Sequence, residues 1–448
     1  MTTRRQRLFE INMRNAEVAV ASYRYGWPID PVRQAVIAKE IADGITEQDK
    51  LLAETLTHES IPKTFASKFN ANSPPQVATL LYEILEVPIK MRTPSGAPSA
   101  GKEALETIML SAEEPAKTLA RCLRQRKILT KLHEAYITNL AGVKIVRPRA
   151  AVSAQISGRW SYRDPALQTT PPRIKPMFVA HPGQWIVAAD LSQAELRNMA
   201  QLSGCPAMLG AYSRGEDIHA ATAESAFGCT PEEAKTKPFR NPAKVVGLGY
   251  NYSVLDDEGA AAGLHPQLIA KRPGITIEEV LGAIKRLKRG RPRVQEYKRE
   301  VLEKAYSLDY VEEPIHNRRR YFWGKVKDTE AFNFSCQGMT GAIVNDAVWE
   351  THQRLDHSCE GLLLQRHDEL MLGGPDPHRL CKLLQDHLRR TVTANGNTMT
   401  YEIDWWVGKR WGDGGAAIEV KDGVYIIAKG GKEYRADTLQ KAVDCAIV

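Results

Sequence analysis

Two acidic positions and one cationic stretch carry the residues best suited to chemistry. Trp185-Ile-Val-Ala-Ala-Asp190 reads as a short buried strand ending on a carboxylate. Leu362-Leu-Leu-Gln-Arg-His367-Asp368-Glu369-Leu-Met-Leu reads as a hairpin with apolar arms and its acids at the tip. Burying acids there without a cation is costly, which favours a metal. Between them lies Arg240-Asn-Pro-Ala-Lys244-Val-Val-Gly-Leu248-Gly-Tyr-Asn-Tyr252. In a helix, Arg240, Lys244, Leu248 and Tyr252 recur every four residues and share one face. Two cations, an aliphatic and an aromatic suit a nucleotide, with phosphates on the cations and the base on the ring. Separated carboxylates converging on divalent cations, with cations for a triphosphate, are the components of nucleotidyl transfer. Magnesium fits because it binds through one or two carboxylates plus substrate phosphates. Taken singly, the helix could be an ordinary amphipathic surface helix and Asp190 a helix cap.

Several elements must position these groups. Pro242 suits the first turn of the cationic helix and Asn241 its N-cap. Gly247 and Gly249 each cost about 1 kcal/mol against alanine inside a helix, so something has to approach that backbone closely. Residues 8–60 show helical spacing interrupted by Gly26-Trp-Pro-Ile-Asp30, a turn that caps the next helix. The loops Phe69-Asn-Ala-Asn-Ser-Pro-Pro-Gln76 and Thr93-Pro-Ser-Gly-Ala-Pro-Ser99 separate further helical stretches. Arg121, Arg124, Lys127 and Lys131 can line one helical face and touch phosphates, although such a stripe is commonly just a solvated face. Ser157 to Gln168 reads as an irregular functional loop, and Leu191 to about Leu202 turns into a helix. Residues 207–327 are mostly helical and contain the basic run Lys285 to Arg293. A long helix follows from Glu330 to about Leu355. After Trp411, strands at Ala416–Val420 and Val424–Ala428 flank an Asp422-Gly423 turn. A Gly430-Gly431 break and a helix from about Asp437 complete a small β-β-α unit.

Composition bounds the rest. The 448 residues suggest two to four domains, and 25% charged with 43% hydrophobic residues is an ordinary soluble globular balance. A net charge of +8 favours a polyanionic partner. Met1-Thr-Thr-Arg-Arg-Gln-Arg leads into no apolar run, and no stretch reaches 18 apolar residues, so neither a secretory signal nor a membrane span is expected. Seven scattered cysteines without a C-x-x-C pair read as reduced cytosolic thiols, not as a disulfide frame or zinc site, and place the chain in the cytoplasm.

In this order the segments resemble the family A DNA polymerases, the class of bacterial DNA polymerase I and many phage replicases. Asp190-Leu-Ser-Gln-Ala-Glu-Leu-Arg197 is similar to the family's motif A, Arg240 to Tyr252 to motif B, and His367-Asp-Glu369 to motif C. The likeness extends to Gly26–Asp30, Phe69–Gln76, Ser157–Pro171, Asp217-Ile-His219 and Asn333–Gly338, and so covers most of residues 8–412. It implies an α+β right-hand fold with an antiparallel palm sheet and mostly helical fingers and thumb. The domains expected are an N-terminal helical part of the palm and thumb base (1–59) and a thumb (60–145). The first palm part with Asp190 (146–205), fingers (206–328), the second palm part with Asp368 (329–413) and a C-terminal appendage (414–448) follow.

The resemblance implies a DNA polymerase acting on primer-template DNA and dNTPs, with two Mg2+ ions held by Asp190 and Asp368 and with Glu369 as a weaker metal candidate. Lys244, Arg240 and His219 are expected on the incoming triphosphate, and Lys244 is also the candidate general acid. Gln193, Glu195, Leu248 and Tyr252 complete the nucleotide site, with Glu195 and Tyr252 excluding a 2′-hydroxyl. Arg159 and Gln337 are expected in the minor groove, Asn333 and His367 at the template and primer terminus, and Arg121, Arg124, Lys127 and Lys131 on the DNA backbone. Motif B departs from the family at Asn241, where a second arginine is usual, and at Gly247, Leu248 and Ser253; Trp160 and Tyr162 depart as well. Leu248 replaces an aromatic that packs on the sugar, which bears on dideoxynucleotide discrimination and nucleotide affinity.

Only 25 residues precede the Gly26-like segment, so a 3′–5′ exonuclease domain is not expected. Proofreading would then need a separate protein, alongside other replication proteins. A monomer is expected, and compact size with divergent motifs suggests a phage origin and a bacterial host cytoplasm. Competing readings are a metal-dependent nuclease using the same acids and a catalytically silent DNA-binding replication subunit. A single-subunit RNA polymerase is opposed by Glu195, where a small residue is needed to admit ribose.

Overall fold

The computed structural model describes residues 3–252, 276–421 and 423–448, with backbone alone at 254–255 and 261–262. Ser253 of motif B and Asp422 of the tail turn lie outside the described residues. The chain forms two compact units. One comprises Met1–Pro28, Arg147–Thr170 and Phe178–Val448, the other Ile29–Val146 and Pro171–Met177. No helix among the described residues is long and apolar enough to cross a membrane.

Helix α1 (Arg4–Tyr25), in the larger unit, starts on a capping box in which Thr3 and Gln6 satisfy each other's amides. The smaller unit opens with α2 (Pro31–Thr55). Asp30 accepts from the Val32 and Arg33 amides and Pro31 pre-sets the first turn, as the Gly26–Asp30 pattern leads one to expect. Helices α3 (Lys102–Ser111) and α4 (Ala116–Leu132) pack with it around buried Leu52, Leu80, Leu105, Ile108, Leu119 and Leu123. The segment 60–145 expected to form a thumb lies wholly in this unit, which also takes in α2.

The larger unit then runs β1 (Trp185–Leu191), α5 (Ala194–Ser203), α6 (Ile218–Phe227) and α7 (Lys237–Tyr252). Next come α8 (Ile277–Gly290), α9 (Pro292–Leu308), the hairpin β2 (Tyr310–Glu312) and β3 (Arg319–Tyr321), and α10 (Asp328–His352). The chain closes with β4 (Gly361–Arg366), β5 (Glu369–Gly374), α11 (Pro377–His387), β6 (Ile403–Gly408), β7 (Ala416–Lys421), β8 (Val424–Lys429), β9 (Lys432–Ala436) and α12 (Leu439–Ile447). Strands β4-β5-β1-β6-β7-β8-β9, in that spatial order, form one antiparallel sheet. Its inner strand β1, third in that order, is buried at Ile186, Val187, Ala188 and Ala189, and the apolar helix α10 is buried along most of its length.

Three expectations are corrected. The cationic helix begins at Lys237, not at Pro242, because the Thr236 carbonyl already accepts from the Phe239 and Arg240 amides. Asn241 is therefore no N-cap, and Pro242 sits inside the helix. The tail is not a β-β-α unit but three strands and a helix that continue the main sheet through β6 and β7. Gly430 and Gly431, with φ of 56° and 77°, do not break the chain there; they make a two-residue hairpin turn joining β8 to β9. The residues of the basic run 285–293 do not share one environment. Arg291 is buried, and Arg293 is paired with Glu300.

Tyr25 shows how tightly the sheet is backed. A Cβ on Gly361 would fall 2.3 Å from its ring, and one on Gly373 would meet its hydroxyl at 2.6 Å. Gly361→Ala is thus expected to destabilise the protein by about 1–3 kcal/mol, through overpacking, read as a lowered urea midpoint.

Candidate active site

The acids meet where β1, β5 and β6 end together. Asp190 is directly opposite Glu369 on β5 and Asp404 on β6, so three carboxylates stand in a row on one face. The β4–β5 turn consists of His367 and Asp368, and His367 takes φ +57° to make it. The Leu191 amide donates to the Asp368 carbonyl at 3.1 Å, tying the turn to the strand. Asp190 keeps solvent access, yet the protein packed around its carboxylate raises its pKa, followed by the negative charge of Asp368 and Glu369. Burial raises Asp368 too, and the two acids are hydrogen-bonded to each other. Carboxylates this close share a proton unless cations neutralise them, so the donor set suits divalent metal ions. Glu369 is held by Arg366 at 2.8 Å, leaving Asp190 and Asp368 as the better placed ligands. Among the described residues no group of three or more His, Cys, Asp or Glu side chains could hold a metal ion. A pair is nevertheless what magnesium requires when substrate phosphates supply further oxygens.

The cationic face is built by α7 packing on α6. Gly247 allows the approach: a Cβ there would lie 3.1 Å from Thr222 Cγ2, which accounts for one of the two costly glycines. Arg240 pairs with Asp217 at 2.5 Å, and Asp217 also caps α6 by accepting from the His219 amide. Buried His219 has its pKa lowered to about 4, chiefly by desolvation and then by Arg240, Lys244 and Arg291. Lys244 is exposed and Leu248 half-buried. Arg240 and Lys244 beside neutral His219, with one carboxylate at Asp217, form a site suited to an anion.

Tyr252, at the end of α7, bonds its hydroxyl to the Glu195 carboxylate, which also accepts from Arg159 Nη2 at 3.2 Å. Gln193 adopts the left-handed region and accepts from Tyr212. Asn333 and Gln337 lie one turn apart on α10, both half-buried, and Asn333 Oδ1 has no hydrogen-bond partner among the described residues. The departures Trp160 and Tyr162 are buried. Trp160 donates to Asn345 Oδ1 on α10 and Tyr162 accepts from the Gln365 amide on β4. Arg121, Lys127 and Lys131 lie exposed on α4 of the smaller unit, where Arg124 is paired with Glu106 at 3.0 Å.

Sequence reasoning missed Asp404, whose carboxyl is raised to about 6 mainly by burial. The alternation of Tyr401, Ile403 and Trp405 with Glu402 and Asp404 could have placed it on a strand. It also missed Arg291 and Lys298, which secure the end of α7. Arg291 donates to Thr222 Oγ1 at 2.8 Å and accepts the Tyr250 hydroxyl on its carbonyl. Lys298 Nζ donates to the Tyr250 carbonyl at 2.6 Å. Burial lowers the Lys298 ammonium to about 7. Nothing in the sequence distinguishes these two from their solvated neighbours.

Residues 42–413 match the model of DNA polymerase family A. The chain belongs to that family. A thermostable DNA polymerase I of Thermus thermophilus is 31% identical over 377 residues, 79% of this chain and 43% of the relative. DNA polymerase I of Bacillus caldotenax is 28% identical over 414 residues, 87% of this chain and 44% of the relative. The family A chain thus spans less than half the length of these curated relatives. The polymerase domain of Pol1 from M. smegmatis, solved in complex with DNA primer-template and dNTP, superposes with a TM-score of 0.74 at 23% identity, covering 89% of this chain and 70% of that one. The fold is therefore the α+β right-hand polymerase fold.

A neutral buried His219 must take up a proton on unfolding at mildly acidic pH. Its folded pKa lies below the unfolded value, so stability falls as pH drops from about 6.5 to 4. His219→Asn should lose less stability across that window, compared by urea midpoints at pH 7 and 4.5.

Proposed function

We propose that the chain is a template-directed DNA polymerase that joins dNTPs to a primer 3′-hydroxyl, with Asp190 and Asp368 holding two magnesium ions. One observation carries this reading: the Asp190–Asp368 pair carries surplus negative charge, and Asp368 feels Glu195, which is bonded to the last residue of the helix bearing Arg240 and Lys244. When bound, such ions activate the attacking hydroxyl and stabilise charge on the leaving pyrophosphate.

The side chains do the remainder. Arg240 and Lys244 bind the triphosphate through their charge, and neutral His219 binds it by hydrogen bonding. Lys244, exposed and at the site, gives a proton to the pyrophosphate as it leaves. Glu195 is fixed from two sides by Tyr252 and Arg159 and so fills the space that a 2′-hydroxyl would need. Gln193 and Leu248 line the nucleotide. Arg159 and Gln337 donate to minor-groove acceptors common to all correct pairs, while Asn333 and His367 support the template and primer terminus. Arg121, Arg124, Lys127 and Lys131, on a thumb at 60–145, contact duplex phosphates in a salt-dependent way. Fingers at 206–328 and palm pieces at 146–205 and 329–413 complete the assignment.

The test is extension of a 5′-labelled primer on a DNA template with magnesium, in parallel dNTP and rNTP lanes. Full-length products are expected with dNTPs only. Asp190→Ala and Asp368→Ala should each reduce extension at least about a thousandfold, the rate equivalent of several kcal/mol of lost transition-state stabilisation. Glu195→Ala should raise rNTP use relative to dNTP by about a hundredfold, the scale at which one hydroxyl is rejected by shape. A bound but unextended primer sinks the proposal in favour of a silent DNA-binding subunit, and a shortened primer in favour of a nuclease.

A further inference from the structure

Away from these acids, the β2–β3 hairpin gathers exposed aromatic rings among arginines. Tyr310 and Tyr321 are directly paired across the two strands, with ring centroids 5.6 Å apart. Trp323, two residues on, stacks over Tyr321 at 5.9 Å with planes 25° apart. The cross-strand tyrosine pair can be explained as hairpin stabilisation. Trp323 cannot, since it remains 92% exposed and covers almost nothing, and Tyr321 is 42% exposed. Cations surround the rings. The Arg319 guanidinium lies 4.0 Å from the Tyr310 centroid, Arg4 of α1 donates to the Tyr321 hydroxyl at 3.2 Å, and Lys325 follows exposed. Arg319 is also paired with Glu312 at 2.6 Å, and Arg320 folds back onto Phe322 and Glu330.

We propose that this ladder is a platform for single-stranded DNA, with unpaired bases stacking on Trp323 and Tyr321 and phosphates lying on Arg4 and Lys325. Open aromatic faces beside cations are what a sequence-independent single-strand site needs. Inside a duplex the base faces are stacked on one another and offer the rings nothing. The place fits as well. The Arg320–Glu330 ion pair ties the hairpin to the first turn of α10, three residues before Asn333. A strand leaving the proposed template contact at Asn333 therefore meets the ladder early. Two sources supply the same ligand chemistry, the unpaired 5′ end of the template and a strand displaced ahead of the primer.

The experiment measures binding of the full chain, without nucleotides, by fluorescence anisotropy on three DNAs. These are a blunt primer-template duplex, the same duplex with a ten-nucleotide 5′ template overhang, and the same duplex with a displaced flap of that length. Because no nucleotide is added, the result stands or falls separately from the polymerase reading. Wild type should bind at least one tailed DNA about tenfold tighter than the blunt one, the order expected from stacking one base. The DNA that gains identifies the source. In Trp323→Ala that gain should vanish while blunt-duplex affinity stays unchanged, and Trp323→Phe should restore most of it. A wild type that gains nothing from either tail overturns the proposal. So does a gain that survives in Trp323→Ala, or that of Trp323→Phe falling as low as alanine.

Discussion

The site depends on bringing like charges together and keeping them there. Asp190, Asp368 and Asp404 would separate in a flexible chain, because neighbouring carboxylates repel each other. Backbone pairing prevents that. The β1 register sets Asp190 opposite both Glu369 and Asp404, and a one-residue slip in either pairing would turn the acid to the other face. Arg366 neutralises Glu369, and Ser192 hydrogen-bonds Asp404, which lessens its rise. The remaining negative charge falls on the pair best placed to receive cations.

A second tension balances the first. The α6–α7 pair concentrates cations around a histidine kept neutral by burial, and its last residue Tyr252 bonds Glu195, whose charge and that of its partner Arg159 act on Asp368. The far end of α7 is secured on Tyr250 by Lys298 and Arg291, both withdrawn from solvent. Charged residues thus differ at neighbouring positions: some stay exposed, others are buried to fix the backbone that presents them.

The motif-bearing elements were largely legible in the chain. The strand ending at Asp190, the hairpin tipped by Asp368 and the Asp30 cap all have local signatures of alternation or capping chemistry. What eluded sequence reasoning depends on distant pairing. Asp404 becomes an active-site neighbour only through the β1–β6 register, and Arg291 looks like part of a basic run until α8 and α9 fold around it. The start of α7 was misplaced because Pro242 resembles a helix opener, while Thr236 and the proline at 238 do that job a turn earlier. Gly430-Gly431 was mistaken for a break because two glycines mark a tight turn and a loop equally well.

The family match ends at residue 413, and without the tail beyond it β6 would be the last strand of the sheet. Such an edge, with buried Ile403, Trp405 and Val407 beside unpaired amides, is a template for pairing with another chain. Strands β7 to β9 move the boundary outward to Lys432, Glu433, Tyr434 and Arg435, all exposed and mostly charged. The tail thereby turns a sticky border into a guarded one, protecting the sheet that carries the acids from joining its own copies edge to edge.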